Sequence, residues 1–115
     1  MISEAFSGSA TITTTEYSCP SAANFTAGVG QAADGVYQVF LDISDMVQGD
    51  QLQIRVYEKC RAGDTQRVIY EAIVTGTMAD TWVSPSLILM HGWDVTLLTL
   101  AGTSIIVNWS IRQVA

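Results

Sequence analysis

A chain of 115 residues has room for one domain with a core of its own. Hydrophobic residues make up 49% of it and charged residues only 14%, which excludes a disordered chain and leaves few polar side chains to coat a surface. The net charge of −6, with 11 acidic residues against five basic ones, excludes the cationic patch that a nucleic-acid backbone or an anionic membrane would need.

The first 33 residues are mostly Ser, Thr, Ala and Gly, with Glu4 and Glu16 as their only charges before Asp34. The opening MISEAFSGSATITTTE has no basic n-region and no apolar h-region, so it does not read as a signal peptide, and synthesis in the cytoplasm is expected. Alternation of Ala10, Ile12 and Thr14 with Thr11, Thr13 and Thr15 predicts a strand over 9–17. Residues 18–34 read as a loop broken by Pro20, Gly28 and Gly30. Ile2 and Phe6, among small polar residues, mark the extreme N-terminus as a flexible arm.

From Asp34 the period-2 signal strengthens. In VYQVFLDI, Tyr37, Val39, Leu41 and Ile43 share one face of a strand. After the turn Gln48-Gly49-Asp50, Leu52, Ile54 and Val56 alternate with Gln51, Gln53 and Arg55. A hairpin loop centred on Gly63 then sets Val56 against Tyr70, Ile54 against Ala72 and Leu52 against Val74. That register places Arg55 opposite Glu71 on the other face, and a shift by one would mix the faces. Pro85 argues for an edge or crossing segment, followed by a short apolar strand at 87–90. Residues 95–100 and 104–111 read as a second hairpin around Ala101-Gly102-Thr103. Its pairs would be Trp93–Ile111, Val95–Trp109, Leu97–Val107 and Thr99–Ile105, with Leu98 and Ile106 on the opposite face. No segment has helical periodicity. The expectation is all-β: a single antiparallel β-sandwich or jelly-roll-like domain, with a core over 34–115 and an extended N-terminal segment over 1–33.

Residues that could carry chemistry are sparse. His91 is the sole histidine, with Asp94 nearby and Ser84, Ser86 and Cys60 as nucleophiles to pair with it. A triad is defined by geometry, and a strand-to-turn corner accounts for His91 as well. One His and the separated Cys19 and Cys60 do not make a metal site, and Asp42, Asp45 and Asp50 lack EF-hand spacing. Cys19 and Cys60 read as two thiols in a reducing compartment. No glycine pattern for a nucleotide is present. No catalytic residue, metal, cofactor or small-molecule substrate is therefore expected. Arg55, Lys59, Arg61 and Arg67 gather on one hairpin as a solvated face. Trp93 and Trp109 alternate in phase with core aliphatics, whereas Trp82, beside the Pro85 segment, is a candidate exposed platform for a sugar ring.

The segments DGVYQVFLDIS (34–44), YEKCRAGDTQRVIYEA (57–72), SPSLILMHGWDVTLL (84–98) and NWSIRQVA (108–115) resemble small β-rich virion proteins of tailed phages. The resemblance implies a capsid decoration, or cement, protein. Such proteins oligomerise on the capsid exterior, often as trimers, and bridge neighbouring subunits of the major capsid protein. On that reading, Trp93, Leu98, Leu100 and Ile106 of the two-sided apolar hairpin are candidates for self-association, and Ile2, Phe6 and Ile12 of the arm for capsid contact. Two other readings remain: a tail-associated or receptor- and carbohydrate-binding sandwich using Trp82, and a small enzyme using His91.

Overall fold

The computed structural model describes residues 1–114. In chain order the strands are β1 (Ile2–Ile12), β2 (Tyr17–Ser18), β3 (Ala23–Asn24), β4 (Gly35–Asp42), β5 (Gln51–Lys59), β6 (Gln66–Thr75), β7 (Trp82–Val83), β8 (Leu87–Leu89), β9 (Asp94–Ala101) and β10 (Ile105–Val114). Two five-stranded antiparallel sheets form a β-sandwich, as the strand patterning predicts. Sheet A runs β1-β10-β4, with β7 and β8 sharing the far edge of β4; sheet B runs β3-β2-β9-β5-β6.

The predicted alternations set the core. Tyr37, Val39 and Leu41 on β4 face Leu52, Ile54 and Val56 on β5, and all are buried. The β5–β6 hairpin has the predicted register, with Val56 opposite Tyr70, Ile54 opposite Ala72, Leu52 opposite Val74 and Arg55 opposite Glu71. A bulge then skips Ile69, so Tyr57 meets Val68. Pro85 falls in the break between β7 and β8, where a missing donor does no harm. The Ser84 hydroxyl there accepts from the Val39 N–H (2.9 Å) and donates to the Pro85 carbonyl (2.8 Å), so the break leaves no bare backbone group on β4.

Two expectations are corrected. β9 and β10 do not form a hairpin: β9 pairs with β2 and β5 in sheet B, and β10 pairs with β1 and β4 in sheet A. The residues assigned to their shared face are the right ones. Val95, Leu97, Ile105, Val107 and Ile111 are all buried, but they meet across the sandwich instead of side by side. Gly102, at φ +86°, turns the chain between the sheets, and the Asp50 carboxylate accepts the Thr103 N–H at 3.0 Å to hold the crossing. Period-2 alternation is the same for a hairpin and for a crossing, so the pattern could not separate them.

The N-terminal segment is likewise not a free arm. Residues 2–12 pair with β10 along their whole length, apart from a bulge at Ala5, and β2 and β3 extend sheet B. Ile12 is fully buried, and Phe6 packs edge-on against Trp93 with ring centroids 5.8 Å apart. Gly8 is required by its pairing partner Trp109, because a Cβ there would lie 2.7 Å from the indole Cζ2.

A cross-linking experiment separates the two arrangements of β9 and β10. In a Cys60→Ser background, Leu98→Cys with Ile106→Cys is expected to form no intramolecular disulfide, since bridged Cα atoms must lie within about 7 Å. Ser9→Cys with Asn108→Cys, paired across β1 and β10, is expected to close one. Mass spectrometry under mild oxidation reads both.

Candidate functional site

The outward face of sheet A is built from side chains out of phase with the core. Strand pairing aligns them in rows across the sheet. At one end Ile88 on β8 lies beside Val36 on β4, Val36 beside Val114 on β10, and Val114 beside Ile2 on β1. Ile88 is 81% exposed, Ile2 69% and Val114 47%, so an aliphatic band crosses the full width of the sheet in contact with water. The next row holds Gln38, Arg112 and Glu4. The Arg112 guanidinium lies 3.9 Å above the Phe40 ring, and Glu4 accepts from the Ser110 hydroxyl. That hydrogen bond, with Ser7 and the Arg112 charge, holds the Glu4 carboxyl below its ordinary pKa. A shallow depression of about 230 Å³ lies here, edged by Phe40, Asp42, Asn108 and Arg112. Beyond it the face is small and polar, through Ser7, Ser9 and Asn108.

On the outward face of sheet B, polar groups tie the middle strands together, while Ile73 (54% exposed) and Val68 (43%) on β6 stay in water. The Glu16 carboxylate accepts from the Tyr57 hydroxyl (2.7 Å) and the Thr96 hydroxyl (2.5 Å). Arg55 pairs with Glu71 at 2.7 Å, as predicted, and reaches the Tyr57 hydroxyl at 3.3 Å. The Phe25 ring stacks on Tyr57 at 4.6 Å. Beneath the β2–β3 turn, Asp94 accepts from the Ser18 hydroxyl (2.6 Å) and the Val95 N–H (2.8 Å). Burial pushes Asp94 up to about 6 against those two hydrogen bonds, and the Glu16 charge adds to the rise.

The residues singled out from sequence are scattered. Trp93 is a core residue: it is fully buried, its Nε1 donates to the Ala33 carbonyl at 2.8 Å, and Tyr37 packs at 4.6 Å. Ile106 projects from the outer face of sheet A, whereas Leu98 lies on the outer face of sheet B. Leu100 is an exposed bulge residue near the end of β9. These four form no single surface, because β9 and β10 belong to different sheets. Of the arm residues, Ile2 belongs to the exposed band, Phe6 is half-buried and Ile12 lies in the core.

The residues considered for chemistry are equally dispersed. Asp94 is bonded to Ser18 and not to His91, whose backbone N–H donates to Glu58 and whose backbone carbonyl accepts from the Lys59 N–H. Asp42, Asp45 and Asp50 each accept backbone N–H groups, from Ser44, Ile106 and Val47 respectively, and no cluster of three potential metal ligands occurs among the described residues. Cys19 is buried and Cys60 exposed, and both are free thiols. Burial drives the Cys19 thiol far above its ordinary pKa and leaves it unreactive. Trp82 is half-buried against Tyr70, closing one side of the sandwich, and is no open platform. Sequence reasoning singled out Ile2 but not the band, because Val36, Ile88 and Val114 lie far apart in the chain and only strand pairing aligns them with it.

No protein-family model matches the chain, and no curated protein matches it. A solved structure with a similar chain trace is that of the Clostridium thermocellum N-terminal endo-1,4-β-D-xylanase 10B, comprising CBM22-1 and GH10 modules complexed with xylohexaose. The TM-score is 0.48 at 9% identity, covering 98% of this chain and 29% of that one.

Asp94 makes stability depend on pH in a definite direction. Its folded pKa lies above its unfolded value, so its contribution is complete below about pH 4 and is lost as pH rises through about 6. Asp94→Asn keeps an acceptor for Ser18 and removes the buried charge. The variant is expected to gain on the wild type by about 2 kcal/mol between pH 4 and pH 7, read as the difference between urea-denaturation curves.

Proposed function

We propose that this chain is a non-catalytic structural protein of a tailed-phage virion, a decoration protein made in the host cytoplasm. It would sit on the capsid exterior, bind the major capsid protein through the outer face of sheet A, and associate with copies of itself. The observation that carries this reading is the aliphatic band of Ile88, Val36, Val114 and Ile2, left in water on the outer sheet face. A soluble domain ordinarily covers such a band or uses it for contact. The acidic balance and low charge density support the same reading, as does the resemblance of four chain segments to small virion proteins.

A receptor- or carbohydrate-binding role in a tail is the other reading carried from the sequence. Its motivating platform, Trp82, packs inward against Tyr70, while Phe25 and Tyr57 stack on each other and Phe40 lies under the Arg112 guanidinium. The band therefore favours the head-decoration reading.

Ile88→Asp places a charge at one end of the band, on a side chain 81% exposed, where folding is expected to be little affected. Binding to purified undecorated heads, read by co-sedimentation, should fall at least about tenfold with Ile88→Asp. Wild-type protein that never co-sediments with heads, and is never found in virions, would end this reading.

A further inference from the structure

Two strands leave a long side unpaired: β1 at the edge of sheet A and β6 at the edge of sheet B. Natural sheets guard such edges with charges, bulges or covering segments. β6 carries two of these: its ladder is broken at Ile69, and it bears Arg67 and Glu71. β1 is different. Past the bulge at Ala5 it runs regularly from Phe6 to Ile12, and no residue from 5 to 15 is charged or is proline.

We propose that the Phe6–Ile12 edge of β1 pairs antiparallel with the same edge of a second copy, about a two-fold axis at Ser9. A register centred on Ser9 uses the whole regular segment and pairs only residues of like parity. Phe6 then meets Ile12 and Gly8 meets Ala10 on the core side, while Ser7 meets Thr11 on the outer side. Any register shifted by one would oppose core and solvent faces. Hydroxyl pairs and aromatic–aliphatic pairs are among the favourable cross-strand neighbours. The charge pattern favours a twin as the partner. For a chain of net charge −6 this uncharged strand is where two copies meet with no like charges in the ladder. The nearest β1 charge, Glu4, lies ten positions from its twin, roughly 33 Å away and several Debye lengths at physiological salt.

The pairing joins two five-stranded A sheets into one of ten strands. Because the axis is normal to the sheet, both outer faces point the same way, and the two aliphatic bands are presented together. The pairing deepens the self-association in the proposed function, yet rests on the edge geometry alone.

Sedimentation equilibrium of the isolated protein at about 100 μM tests it, a concentration suited to a small interface. The wild type is expected to dimerise. Ser9→Lys, an exposed outer-face change that puts two ammonium groups at the axis, should weaken dimerisation at least about tenfold. Ser9→Glu should do the same, and an equimolar mixture of Ser9→Lys and Ser9→Glu should restore the dimer. Glu71→Lys on the β6 edge should leave it unchanged. Circular dichroism confirms that each variant is folded. A wild type that stays monomeric, or a dimer that survives Ser9→Lys, overturns the proposal. No capsid is present in the measurement, so failure of head binding leaves its outcome standing.

Discussion

β9 and β10 bury their inward faces in one core from opposite sheets, and this separation determines how the rest of the chain is arranged. Val95 and Leu97 on one side and Ile105, Val107 and Ile111 on the other are fully removed from water, each contributing about 1.5–3 kcal/mol by burial. Once the two strands are in separate sheets, each needs neighbours of its own on both sides. β9 takes β5 and β2; β10 takes β4 and β1. The N-terminal segment is thereby drawn into sheet A, with Phe6 against Trp93 and Gly8 under Trp109, because β10 would otherwise expose one edge of a strand whose core face is complete.

The two outer faces differ in kind. On the outer face of sheet B, Glu16, Tyr57, Thr96, Arg55 and Glu71 satisfy one another and the β2–β3 turn buries Asp94 with Ser18 as its partner, while Val68 and Ile73 on β6 stay exposed. The cost is a carboxyl held in a poor solvent, seen as its raised pKa. Sheet A is polar over most of its outer face, and the aliphatic band at one end is left without a partner within the chain.

The two long edges differ: β6 is bulged and charged, whereas β1 is regular and neutral over seven residues. Both unguarded features belong to sheet A, so lateral association through β1 and docking through the outer face would not compete for the same atoms. Multivalent docking follows, since joining neighbouring faces raises the effective concentration of each at the surface it meets.

Local alternation determined the sandwich class, the faces of β4 and β5, and the β5–β6 register down to the Arg55–Glu71 pair. Those choices depend only on which side of a strand is apolar and on a short loop. The break at Pro85 was legible for the same reason, since a missing N–H is a property of one residue. Whether the crossing at Gly102 pairs its strands or separates them was not legible. A three- or four-residue connection can close a hairpin or step about 10 Å to the facing sheet, with the same period-2 pattern on either side. That choice placed Leu98 and Ile106 on opposite sides of the molecule and turned the expected arm into a strand. It also aligned Ile88, Val36, Val114 and Ile2, residues far apart in sequence, into one band. The sequence by itself determined which faces are buried; the tertiary structure decided which strands are neighbours, and with that where the exposed apolar surface lies.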